Sequence, residues 1–175
     1  MSTDKFKNKY RIPSARAQWW DYGNNAAYFV TICTADRECY FGETEIGQTA
    51  THFWNEIPKR FPFVDLGEFI VMPNHIHGII VIDKKYTIQK NTKNGGDNVG
   101  GFAKNKNPML HDNLSHILKW YKGRCTFEIR KIHADFAWQS RFHDRIIRNE
   151  KEYKRIADYI TNNPANWDND EFHTK

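Results

Sequence analysis

The run "FIVMPNHIHGIIVI", residues 69 to 82, restricts the fold more than any other stretch of the chain. Apolar residues flank "MPN" on both sides, and Pro-Asn is a turn signal. A hairpin satisfies the pattern, with "FVDLGEFIVM" running in and "HIHGIIVI" running back. Side chains alternate along a strand, so His75 and His77 share one face while Ile76 and Gly78 take the other. An otherwise apolar strand thus carries two imidazoles about 7 Å apart at Cα, twice the rise per residue. Buried polar groups need partners, and one divalent ion would serve both rings. Two separately hydrogen-bonded histidines at a strand end are the alternative. A metal would also need a third ligand from elsewhere in the chain.

The remaining chain supplies elements to surround that hairpin. "AAYFVTICTA" (26 to 35) is β-branched and aromatic and reads as a strand. A short second strand is expected between it and the first helix. "IGQTATHFWNEIPKRF" (46 to 61) places Ile46, Ala50, Phe53, Trp54 and Ile57 at helical spacing. "MLHDNLSHILKWYKGRCTFEIRKI" (109 to 132) does the same with Leu114, Ile117, Leu118 and Tyr121. "RFHDRIIR" (141 to 148) reads as a short strand, and "NEKEYKRIADYITNNP" (149 to 164) as a helix. In the latter, Asn149 is the expected N-cap, Glu152 holds the capping-box position and Pro164 is the stop. Residues 83 to 108 are rich in Lys, Asn and Gly and read as a long mobile loop. That loop is either a plain connector or a basic arm that orders on nucleic acid. The order of elements implies a single α+β domain over 1–175, with helices packed on a largely antiparallel sheet. A ferredoxin-like arrangement closes it.

The last helix offers further polar groups. At about 100° per residue, Tyr153, Ile156, Ala157 and Ile160 form one apolar face. Tyr159 lies about 110° from the centre of that face, and Asn163 follows one turn later on the same flank. A surface tyrosine and a helix-ending asparagine would give the same pattern.

Composition sets limits on partners and location. Lys plus Arg total 26 against 21 acids, a net charge of +5, which suits a polyanionic partner without requiring one. Cys33, Cys39 and Cys125 are odd in number and form no CxxC pair, which argues against a disulfide framework and a thiolate zinc site. The N-terminal residues lack the apolar core of a signal peptide, and no run is long enough to span a membrane. A cytoplasmic protein is the expectation.

"MPNHIHGII" followed downstream by "WQSRFHDRIIRNEKEYKRIADYITNNP" resembles the REP-associated tyrosine transposases, single-tyrosine enzymes of the HUH class that act on single-stranded DNA. HUH denotes histidine, hydrophobic residue, histidine: here His75, Ile76 and His77. The resemblance extends from "KYRIPSARAQWW" to "NNPANW". It implies a ferredoxin-like HUH fold, Tyr159 as the nucleophile, and Asn163 as the third metal ligand beside His75 and His77. It also implies Mg²⁺ or Mn²⁺ as cofactor and single-stranded DNA with a hairpin or palindromic element as substrate. The implied activity is cleavage and rejoining of DNA through a 5′-phosphotyrosine, as in DNA transposition and recombination, at the bacterial nucleoid. A homodimer is one implied assembly, since strand exchange joins two cut ends. Gln139, Arg141, Asp144 and Arg148 receive no separate roles. Trp19, Trp20, Tyr22 and Trp120 are candidates for stacking on bases. Two other readings use the same residues differently. A non-catalytic nucleic-acid-binding module would have no use for Tyr159, and a metal hydrolase using water would form no covalent adduct.

Overall fold

A computed structural model describes residues 21–84 and 112–173. The hairpin is present as β2 (Val64–Met72) and β3 (His75–Ile82), joined by the two-residue turn at Pro73 and Asn74. Strand β1 (Ala26–Cys33) pairs antiparallel with β3, and β4 (His143–Ile147) pairs antiparallel with the other side of β1. The sheet order is therefore β2-β3-β1-β4. With helices α1 (Thr44–Arg60) after β1, α2 (Leu114–Ile129) after β3 and α3 (Glu150–Asn162) after β4, this is the ferredoxin-like α+β arrangement.

The two faces of the sheet follow from strand alternation. Tyr28, Val30, Ile32, Ile76, Ile80 and Ile82 point to one face, where α1 and α2 cover them. Helix α1 buries Ile46, Ala50, Phe53, Trp54 and Ile57, the stripe expected from the sequence. Gly78 permits this packing, because a Cβ there would run into the Trp54 ring, which stacks on Phe69 at 4.5 Å between centroids. On the opposite face a smaller cluster joins Ile79 and Ile147 to Ile156, Ala157 and Ile160 of α3. Each isoleucine buried there contributes about 2 kcal/mol.

Helix α3 starts as its sequence dictates. The Asn149 side chain accepts from the Glu152 N–H (2.9 Å). Glu152 reaches one residue further back than a capping box requires, accepting from the Arg148 N–H (3.0 Å). Pro164 ends the α-helix but not the helical course of the chain, which continues as a 3-10 segment, Asn163–Asn169. The short strand expected before α1 is absent. Two 3-10 turns, Ala35–Arg37 and Tyr40–Gly42, take its place. Asp36 and Arg37 lie at positive φ (52° and 58°), which turns the chain out of the sheet direction. Of the loop expected at 83–108, all but the first two residues lie outside the described residues, as do Trp19 and Trp20. Cys33, Cys39 and Cys125 form no disulfide among the described residues. Among the described residues, no helix is long and apolar enough to cross a membrane.

Candidate functional site

His75 and His77 project from β3 on the α3 side of the sheet, as alternation requires. Their Nε2 atoms lie 3.0 Å apart. Each ring is fixed from behind through Nδ1. The His75 Nδ1–H donates to Asn74 Oδ1 (2.8 Å), while His77 Nδ1 lies 2.8 Å from Thr31 Oγ1 on the paired strand. Asn74 is held in turn, because its Nδ2 donates to the Phe172 carbonyl (2.8 Å) and so its Oδ1 must face the ring. Orientation through Nδ1 leaves both Nε2 atoms directed at one point, as metal-ligating imidazoles require.

The Tyr159 side chain reaches the same place from α3. Tyr159 Oη lies 3.4 Å from His77 Nε2, and its ring meets Phe29 edge-on at 6.1 Å. Tyr153, the other tyrosine of the helix, packs instead with the apolar cluster under α3. Asn163 is buried, and its Oδ1 has no hydrogen-bond partner among the described residues. A buried amide oxygen without a partner costs about 1–3 kcal/mol, and a bound cation would satisfy it. Tyr159, Asn163 and Asp170 line one cavity of about 270 Å³.

Asp170 is the residue that sequence reasoning missed. One carboxylate oxygen of Asp170 and one ring nitrogen each from His75 and His77 lie within 4.8 Å of one another, a group that could hold a metal ion. Asp170 is placed by a local turn, where its Oδ1 accepts from the Phe172 N–H (2.7 Å). Its signal in the sequence is faint, since "NWDNDEF" carries two aspartates and nothing in the spacing selects one. Two imidazoles and a carboxylate form a mixed nitrogen and oxygen donor set that could hold a divalent cation.

The same C-terminal segment covers the histidines. Phe172 packs 4.9 Å from the His75 ring, and Trp167 lies 6.0 Å from it on a second side. Arg37 pins the segment, donating to the Glu171 carbonyl (3.1 Å) with its guanidinium 5.2 Å from the Phe172 ring centre. As a result His75 is 0% and His77 1% exposed. Tyr159 is 44% exposed.

Burial also sets the protonation states. It pushes both histidines well below the usual imidazole range; beyond burial, the His75 ring lowers His77 further and the Arg37 charge lowers His75. The Asp170 charge opposes this at His75 without reversing it. Both rings are therefore neutral near pH 7, the form that ligates metal. Tyr159 is pushed above its ordinary value by burial and by the Asp170 charge, while the Asn163 amide pulls the other way. A tyrosine so placed keeps its proton near pH 7. Two of the other residues singled out from the sequence have partners elsewhere. The Gln139 N–H donates to the Cys33 carbonyl, and Tyr22 stacks on Tyr28.

No family model matches the chain. An uncharacterized protein of Haemophilus influenzae is 32% identical over 171 residues, which cover 91% of this chain and 92% of that protein. Among solved structures, a REP-associated tyrosine transposase bound to a REP hairpin superposes with a TM-score of 0.58 at 22% identity, covering 87% of this chain and 73% of the other. That likeness identifies the fold.

Proposed function

We propose, for a chain that belongs to the same family as the Haemophilus influenzae protein and folds like a REP-associated tyrosine transposase, that it is a metal-dependent single-tyrosine nuclease and transposase of single-stranded DNA. The observation that carries this reading is the convergence of Tyr159 Oη and the His75–His77 pair, with Oη 3.4 Å from His77 Nε2. A plain nucleic-acid-binding module gives no reason for an exposed tyrosine to stand over two neutral, back-bonded imidazoles. The solved relative is bound to a REP hairpin, and a hairpin-bearing single strand is the substrate this reading assigns here.

His75, His77 and Asp170 are the residues that would hold Mg²⁺ or Mn²⁺, with Asn163 Oδ1 as the fourth donor. When bound, the cation polarises a phosphate oxygen and stabilises the leaving oxygen. Asn74 and Thr31 keep the two imidazoles in register for that task. Tyr159 Oη then forms a bond to phosphorus while the bond from phosphorus to the 3′-oxygen breaks. The tyrosine proton passes to solvent, for which the exposed side of the ring gives a path. The 3′-oxygen takes up a proton and leaves as a hydroxyl. The 5′-phosphate remains on Tyr159 as an ester, and because that ester bond is retained, rejoining by a 3′-hydroxyl needs no ATP. One chain supplies every side chain named here.

The test uses a single-stranded hairpin substrate labelled 3′ of the cut. With Mn²⁺, the label should stay on the protein through denaturation and map to Tyr159. Tyr159→Phe should lower adduct formation by about 10³ or more with the fold intact. An adduct on Tyr153, or undiminished cutting by the phenylalanine variant, would overturn the assignment.

A further inference from the structure

The outer side of α2 carries a groove of about 660 Å³ that the reaction above does not use. Its walls are α2 itself and the segment leading into β4, with Leu118, Trp120 and Phe142 among the apolar lining. Lys122 ties the two walls together, its Nζ donating to the Gln139 carbonyl (2.6 Å). Lys119 and Arg124 also line the groove, Arg124 with its guanidinium 4.0 Å from the Glu128 carboxylate and 5.0 Å from the Phe53 ring centre, and among the described residues no carboxylate belongs to the lining itself. Gly123 lies in this lining, in the interior of α2, where glycine is a poorer helix former than alanine. A Cβ at Gly123 would meet nothing within 4 Å among the described residues. The helix therefore forgoes a side chain at a point where no neighbour demands it, which leaves its backbone open to close approach.

The aromatic surface continues along the helix. Phe127 is 62% exposed, and it follows Trp120 by seven residues, about two turns or ~10 Å on the same side. Lys131 Nζ lies 4.9 Å from the Phe127 ring centre and 2.5 Å from the Glu128 carboxylate, so a strand that uses this cation must exchange it from that pair. Aromatic rings interleaved with cations form the surface on which single strands stack their bases and rest their phosphates. A second copy of this chain is a poor occupant, because a two-fold contact would bring the same cations face to face.

We propose that this groove is a second binding site for single-stranded DNA, with a base lying against Trp120 over Gly123 and flanking phosphates on Lys119 and Arg124. The inference rests on the preceding reading only for the identity of the polymer. The groove and the histidine pair lie on opposite faces of the sheet. A strand that occupies both must pass round a sheet edge, so the groove matters for long substrates and not for short ones.

Binding of a fluorescent single-stranded oligonucleotide to the full chain, measured in chelator so that no cleavage occurs, tests this directly. Gly123→Gln places a side chain in the groove from a Cβ that meets no neighbour, and should weaken binding by about tenfold with no loss of thermal stability. Lys119→Ala should weaken it about threefold and lower the slope of log affinity against log salt by about 0.7. Both variants should still cut a minimal hairpin substrate at the parent rate. Unchanged affinity in both variants, with the fold retained, would overturn the proposal. So would a changed sedimentation coefficient with unchanged DNA affinity, since the surface would then be a protein contact. If no adduct forms on Tyr159 but both variants bind more weakly, the groove stands and the catalytic reading falls. If the adduct forms and both variants bind like the parent, the groove falls alone.

Discussion

The two faces of the sheet are made by alternate residues of the same strands, and they are finished in opposite ways. Toward α1 and α2, β3 presents Ile76, Gly78, Ile80 and Ile82, and large rings fill the space above them. Trp54, Tyr121 and Phe136 are all fully buried there, and Tyr121 Oη donates to the Ala50 carbonyl (3.1 Å). Toward α3, β3 presents His75 and His77, covered by the short 163–172 segment. One face buries apolar surface and owes its strength to packing density. The other buries two back-bonded imidazoles and an amide oxygen without a partner among the described residues, and burying that oxygen is unfavourable unless a ligand completes it. The first face is thus apolar throughout, whereas the second sets a candidate site beside the smaller apolar cluster under α3.

The comparison breaks most sharply under mutation. Trp54→Ala should cost about 3–5 kcal/mol of stability, read as a fall in the midpoint of urea unfolding. His77→Ala should cost less than about 1 kcal/mol in the metal-free protein, because it removes a buried polar ring along with its packing. Equal losses at the two positions would erase the distinction between the faces.

Next in size is the effect of a ligand on the second face. Mn²⁺ at about 100 times its dissociation constant should stabilise the parent by about 2.7 kcal/mol, or roughly 5–10 °C in Tm for a chain of this length. The shift should vanish in chelator and in His77→Ala, and shrink in Asp170→Asn. A shift that survives His77→Ala would place the cation elsewhere.

Acid sharpens the same contrast. Histidines in the unfolded chain titrate near about 6.5, whereas burial holds His75 and His77 well below that in the folded protein. Between those values the unfolded state binds more protons, so metal-free stability should fall as pH falls below about 6.5, by up to about 1.4 kcal/mol per unit per group. Unfolding curves at successive pH values check the slope, and His77→Gln should flatten it.

The smallest effect on stability, and a specific one on access, is expected at the cover. Phe172→Ala removes the ring packed over His75 and His77. Their rate of acylation by diethyl pyrocarbonate should rise about tenfold, as for a segment that opens locally, while the midpoint of unfolding moves little.

Local rules determined much of this protein. Period-two alternation put His75 and His77 on one face, and helical periodicity chose the buried residues of α1 and the flank of α3 that carries Tyr159. Nearest-neighbour chemistry also placed Asn149 as the cap of α3 and the Pro73–Asn74 turn in the hairpin. Each of these depends on residues a few positions apart. Four features depended on the folded chain. They are the back-bonding of His77 by Thr31, the orientation of Asn74 by the Phe172 carbonyl, the arrival of Asp170 at the imidazoles, and the groove between α2 and the approach to β4. Asn74 and Phe172 are 98 residues apart in sequence. No local period links such positions. They meet because β3, α3 and the turn after Asn163 have fixed lengths and directions, so that contact exists only once the whole sheet has assembled.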